Sequence, residues 1–334
     1  MKPINACRLL AMVSLTVAAV GCAPAATPAP AAPTEGAKTF RVAMVTSGPT
    51  NDHGWHQNAL EGLQSINKEL GYEIAYSESV ESAQQQNTLR QYAQQGYNLI
   101  FCHGYEWGEA LKAVAPDFPD VMFVQINATT EGANIVGTNF KFGELGYFAG
   151  MAAGLMTKNG KIGIVAAQDA PQVTADSDTI QLGAKAVNAN ADVNVSFVGS
   201  WDDIVKGQQV TQAQIDRGVD ILIIIGDAFA PPAIELAKSN GIMVIGGWSG
   251  DAHDLAPETV ITSGVQDVPG VYLSIARQFG DGTLKGGTSF VSGFAEKTQK
   301  MGVWGDFVPA EVKDQVNQAI TDYLDGKLEF PVLK

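Results

Sequence analysis

Apolar residues fall into two kinds of run along this chain, and the two alternate. Phe40 to Val45, Glu73 to Tyr76, Asn98 to Cys102 and Val121 to Ile126 are short and largely apolar. Around Ser82 to Gln95 and Glu106 to Ala115, apolar positions recur instead at helical spacing. Short apolar runs bounded by turn residues read as buried strands and the longer period as helices laid against them, so the order predicts βαβ units and a parallel sheet. A helix predicted over Glu144 to Met156 precedes a second series, with strands at Lys161 to Ala166, Val193 to Val198, Asp220 to Ile225 and Ile242 to Ile245. The expected architecture is α/β, two doubly wound parallel-sheet lobes with their strand ends open to a shared cleft. Crossings between lobes are expected near Thr138 to Phe142, Ser263 to Val265 and Gly293 to Lys297. Helix Val268 to Phe279 and strand Thr288 to Val291 then return to the first lobe, and helix Pro309 to Leu324 to the second. This gives lobes of 39–140 with 264–296, and 141–263 with 297–334.

The stretch Thr46 to Leu63 (TSGPTNDHGWHQNALEGL) joins the first strand to the first helix. Ser47, Gly48, Pro49 and Asn51 mark the loop, Asp52 suits a helix cap, and Trp55, Ala59, Leu63, Ile66 and Leu70 form the apolar stripe. A helical side chain leans toward its own N-terminus, so Trp55 in the first turn points back to the crevice beyond the strand ends, where ligands of such sheets bind. Spacing alone leaves Trp55 open between the first core residue and a cleft residue.

The first residues change the picture. Lys2 and Arg8 precede the uncharged apolar run Leu9 to Val20, and Ala19-Val20-Gly21-Cys22 closes it. This reads as a secretory signal, too short for a stable span, and its end resembles a bacterial lipobox with Cys22 as the lipid-bearing residue, although Ala19 stands where Leu is usual. Ala, Pro and Thr then dominate residues 23–38, a composition suited to an extended tether. The expectation is a lipid-anchored protein outside the cytoplasmic membrane, in the periplasm or on the outer face. About 295 residues follow the tether, more than one core organises.

The chain has 35 acidic against 21 basic residues and a formal net charge of −14, and losing Lys2 and Arg8 makes the balance more negative. A nucleic-acid partner is disfavoured. Of three cysteines, Cys7 leaves with the signal and Cys22 is acylated, so no disulfide framework is possible; Cys102, in a strand-like run, reads as a buried inert thiol.

Enzyme motifs fail on inspection. His53 and His56 beside Asp52 lack the further ligands of a closed metal site. Gly154 to Lys161 (GLMTKNGK) has one residue too many between its glycines for a phosphate loop, and Ile162 stands where Ser or Thr should hold magnesium. No Gly-x-Ser-x-Gly elbow occurs. Neither a cofactor nor a metal is expected. Polar and aromatic residues after the strands remain: Asn51, Asp52 and Trp55; His103, Gly104, Tyr105, Glu106 and Trp107; Asn127; then Asp169, Trp201 with Asp202 and Asp203, Asp227, and the turn Gly246 to Asp251 holding Trp248. Tryptophans in such positions stack on flat ligands. Trp201 is equally open to a role as a lid on the core.

The motifs NDHGWHQNALEGL, GTNFKFGELGYFAGMAAGLMTKNGKIGIVAA, VGSWDDIVKGQQ, RGVDILIIIGDAF and DGKLEFP, in this order, resemble the basic membrane protein family of substrate-binding lipoproteins, which includes purine nucleoside receptors. The resemblance covers about Phe40 to Pro331. It implies a type I periplasmic-binding fold with a three-strand hinge, a monomer delivering ligand to an ABC permease and ATPase, and a purine nucleobase or nucleoside as ligand. It implies Trp55 and Trp201 as opposing aromatics on the base. Asn51 and Asp52 occupy a loop that carries two acids in purine nucleoside members. Trp248 stands in place of an Asp that grips ribose, and Gln266 in place of a Lys. Asp227 resembles the Asp of a branch that binds free bases. A sensing lipoprotein of the same fold, uncoupled from transport, is the alternative.

If Cys22 bears the anchor, Cys22→Ser should move the protein from the membrane fraction to the soluble one, because the acyl chains supply most of the membrane affinity. Retention after a salt wash would contradict the lipoprotein reading.

Overall fold

The computed structural model describes residues 40–333; Cys22, the tether and the signal segment lie outside them. Two six-stranded sheets carry the molecule. The first is built from β1 (Arg41–Thr46), β2 (Glu73–Ser77), β3 (Leu99–His103), β4 (Met122–Ile126), β5 (Ile135–Phe140) and β11 (Thr288–Ser292). Its order is β11-β5-β4-β3-β1-β2 and every pairing is parallel. The second holds β6 (Lys161–Ala166), β7 (Asp192–Phe197), β8 (Ile221–Ile225), β9 (Met243–Trp248), β10 (Val260–Gln266) and β12 (Gln299–Met301) in the order β12-β10-β9-β8-β6-β7. Only β12 runs antiparallel.

Helices α1 (Trp55–Leu70), α2 (Gln85–Gln94), α3 (Gly108–Val114) and α8 (Val268–Gly280) cover the first sheet, and α4 (Glu144–Met156), α5 (Pro171–Val187), α6 (Ile204–Asp216), α7 (Ala230–Ser239) and α9 (Ala310–Leu324) the second. Cover on both faces explains the unbroken apolar runs: β3 and β8 are buried at every residue, whereas the edge strand β2 is not. In each sheet the order reverses beside the first strand, between β1 and β3 and between β6 and β8. Residues leaving these four strands therefore enter a crevice at a topological switch point. The chain crosses between the sheets three times, from β5 to α4, from β10 to α8 and from β11 to β12.

Helix α4 is apolar nearly all round and almost wholly buried. It lies so close to α5 that Gly146, Gly150 and Gly154 leave no room for a Cβ against Asp176, Ile180 and Ala184, and Gly183 none against the Tyr147 carbonyl. Glu144, at the start of α4, accepts from the Phe294 N–H at 2.8 Å and the Tyr323 hydroxyl at 2.7 Å, tying a crossing segment and α9 to this helix. Alanine at position 150 would gain about 1 kcal/mol of helix propensity. Collision with the Ile180 backbone forces the helices apart, at a cost on the order of 1–3 kcal/mol or more. Gly150→Ala should therefore lower the thermal midpoint, and an unchanged or raised midpoint would show that α4 and α5 separate freely.

Candidate functional site

A cavity of about 360 Å³ opens where the two switch points face each other. From the first sheet's side come Ser47 and Gly48 after β1, Trp55 and His56 in the first turn of α1, Gly104, Tyr105 and Glu106 after β3, and Asn127 after β4. From the second sheet's side come Gln172, Val173 and Asp176 on α5, Trp201 and Asp202 after β7, Ile225 and Asp227 at the end of β8, and Trp248 and Ser249 at the end of β9. Phe142 and Gln266 line it from two of the crossings.

Trp55 is held from behind. Its ring stacks on His103 with centroids 4.2 Å apart and planes at 28°. The buried imidazole donates from Nε2 to the Trp55 carbonyl at 3.0 Å and accepts at Nδ1 from the Tyr272 hydroxyl at 3.0 Å. Burial, reinforced by the nearby charge of His56, drives His103 down to about 3, so it stays neutral and this tautomer is fixed. His103 thus sits beneath Trp55 and is not part of the cavity wall.

Asp52 is also occupied. Its carboxylate accepts from the N–H groups of Gly54, His56 and Gln57 and from His56 Nδ1, all at 2.8 to 3.0 Å, and so closes the start of α1 although the helix begins three residues later. Burial opposes the Asp52 charge, yet these hydrogen bonds together hold its carboxyl below the ordinary value. Burial likewise opposes the charge on His56, and Asp52, with Asp227 and Glu106 beyond it, raises the imidazole above its usual value. Asn51 is exposed, and neither it nor Asp52 lines the cavity. The loop that looks like a ligand contact in sequence orients the helix that carries the cavity-facing Trp55.

Asp227 reaches across. Its Oδ1 accepts from the Trp55 N–H at 3.1 Å and from the Ser249 hydroxyl at 3.1 Å. A Cβ on Gly54 would collide with this carboxylate, so the glycine permits the approach. Burial and then the charge of Asp52 push the Asp227 carboxyl up to about 7, against the pull of its two donors and of His56.

Asp176 was not singled out by sequence reasoning. It accepts from the Trp248 indole N–H at 2.7 Å and the Gly143 N–H at 2.6 Å, and burial pushes it up to about 7 in spite of these bonds. Trp248 has φ +81° and follows Gly247 at +100°, where a side chain would strike the Gly250 and Gly264 carbonyls. The Asp176 bond holds this left-handed tryptophan against the cavity. The signal in the sequence was an acid in register with Val173, Ile180 and Ala184 on the buried face of a helix that follows a strand. Asn127, also at positive φ (+64°), presents a buried Oδ1 without a protein partner. Trp201 packs partly on the second sheet's core as well as lining the cavity. The wall therefore offers aromatic faces and hydrogen-bond acceptors, and among the described residues no group of His, Cys, Asp and Glu is arranged to hold a metal ion.

Comparison with known proteins places these features in context. The family model for ABC transporter substrate-binding proteins, PnrA-like, matches residues 39–331. The transcriptional activator protein Med of Bacillus subtilis is 30% identical over 86% of this chain and 89% of its own. A purine-binding protein of Brucella abortus is 31% identical over 74% and 70%. The crystal structure of a transcriptional activator of the comK gene from Bacillus halodurans superposes with a TM-score of 0.77 at 31% identity, covering 87% of this chain and 99% of that one.

A carboxyl raised in the folded state stabilises it when protonated; that contribution is full below about 4 and is lost as pH rises through about 7. Asp176→Asn loses this contribution and turns an amide donor toward one of two N–H donors, destabilising the protein by roughly 1–3 kcal/mol. Denaturant unfolding should show the gap between parent and variant narrowing from pH 5 to pH 8; a widening gap would mean that Asp176 ionises easily in the fold.

Proposed function

The chain belongs to the PnrA-like family of ABC transporter substrate-binding proteins, a family of binding proteins and not of enzymes, and on that basis we propose that it captures a flat, nitrogen-bearing ring in the cavity between its two sheets. The observation that carries this reading is the aromatic wall: Trp55 from one side, Trp201 and Trp248 from the other, with Asp227, Asn127 and Gln266 at the edges to accept or donate hydrogen bonds. We read a purine nucleobase as the preferred ligand, in keeping with the name of the Brucella relative. Closure of the lobes about the three crossings would bury the ring and present the closed form to a permease and ATPase, with Cys22 anchoring the protein to the membrane. A second reading, a ligand sensor of the same fold without transport, is supported by the similarity to a transcriptional activator; uptake of labelled ligand by cells with and without the protein separates the two.

Free base is favoured over nucleoside because the indole of Trp248 has no acceptor for a ribose hydroxyl and its single donor, the N–H, is already given to Asp176. Each buried hydroxyl left without a partner costs roughly 1 to 3 kcal/mol. Titration calorimetry should give tighter binding of adenine than adenosine and of guanine than guanosine; tighter nucleoside binding would overturn the preference.

Trp55→Ala and Trp201→Ala should each weaken binding at least tenfold, about 1.4 kcal/mol, with little change in the thermal midpoint. Variants that melt much lower while their folded fraction binds normally would make these tryptophans core residues.

A further inference from the structure

Charge on the cavity wall is one-sided. Glu106, Asp176, Asp202 and Asp227 line it, and among the described residues no Lys or Arg does. His56, the only basic side chain in the wall among the described residues, is matched by Asp52 at 2.8 Å. Four acids thus share one basic group, His56, whose imidazole is hydrogen-bonded to Asp52 and acts on Asp227 and Glu106 only from a distance.

They also retain acceptor capacity. Asp227 directs only Oδ1 at Trp55 and Ser249, and Glu106 takes a single hydroxyl, from Ser47. Gln266, only 6% exposed, faces the same space with its amide, and the buried Oδ1 of Asn127 in the same wall has no protein partner among the described residues. Around these groups stand Trp55, Tyr105, Trp201 and Trp248, whose ring faces carry the negative end of the aromatic quadrupole. Buried carboxylates and aromatic faces act in the same direction: both attract positive charge and repel phosphate and carboxylate groups.

We propose that this cavity selects a flat heteroaromatic ligand that carries a positive charge, stacked between the tryptophans with its charged edge toward Asp227 and Asp176. The proposal rests on the cavity being the ligand site, as argued above, and not on the ligand being a purine. Once these acids ionise, a neutral ring with N–H groups can still donate to the same oxygens but leaves the cost of burying their charge in place. A cation removes that cost. Binding of a cation also displaces protons. Asp227 is faced by Asp52 and His56 at the start of α1 and by the hydroxyl of Ser249; Asp176 is faced by the Gly143 N–H and the Trp248 indole, with no ionised side chain against it. Both carboxyls hold protons up to about pH 7, so cation affinity rises with pH through that range while affinity for a neutral ring changes little.

The test is calorimetry on the full chain with nicotinamide and 1-methylnicotinamide, two rings of nearly one shape that differ by a methyl group and a fixed positive charge. The cation should bind at least tenfold more tightly than the neutral ring at pH 8, with a smaller ratio at pH 6. Asp202→Asn and Asp227→Asn should each reduce the ratio; the first changes an exposed residue, so its result does not depend on how well the second folds. Equal or tighter binding of nicotinamide, or no binding of 1-methylnicotinamide at millimolar concentration, overturns the proposal. Adenine and adenosine run beside them separate the two readings: if neither purine binds and the cation does, the purine assignment fails and charge selection stands.

Discussion

The cost of holding carboxylates in an aromatic cavity governs the arrangement of this molecule's functional end. Asp176 and Asp227 are both buried, and each is tolerated because its position is determined by more than one element. Asp176 joins α5 to the Trp248 indole and to the backbone at the first crossing, Gly143. Asp227 joins the end of β8 to Ser249 and to the first turn of α1 on the opposite side. These acids therefore place the aromatic wall and also connect it to the segments through which the two sheets are joined.

The second determinant is local. Asp52 satisfies the orphan N–H groups of α1, and His103, kept neutral by burial, holds the Trp55 carbonyl and stacks on its ring. One tryptophan is thus oriented from its backbone and from its rear face before any ligand arrives. Under the proposed function, such preorganisation would lower the entropy lost when a ring stacks on it.

Much of the fold was legible in the sequence. Strands buried on both faces appear as unbroken apolar runs, so β1, β3, β6 and β8 stand out, and Glu144 to Met156 coincides with the bounds of α4. The short β12 carries no such signal: it is three residues long and is defined by its pairing with β10. In the site, residues that follow apolar strands were visible, among them Trp55, Tyr105, Asn127, Trp201, Asp227 and Trp248, and all of these line the cavity. Residues contributed from along a helix, Gln172 and Asp176 on α5, were not, because a polar residue on a helix reads as solvated until its neighbours are known. His103 misled for the converse reason: its place at a strand end looks like a ligand contact, while both ring nitrogens are used inside the protein.

Ligand identity is the central claim, and mass spectrometry of small molecules released by denaturing the purified protein addresses it most directly. The account predicts a flat nitrogen heterocycle, without phosphate or carboxylate, in an amount comparable to the protein. Release of a sugar, a peptide or an anionic metabolite in that amount would contradict it.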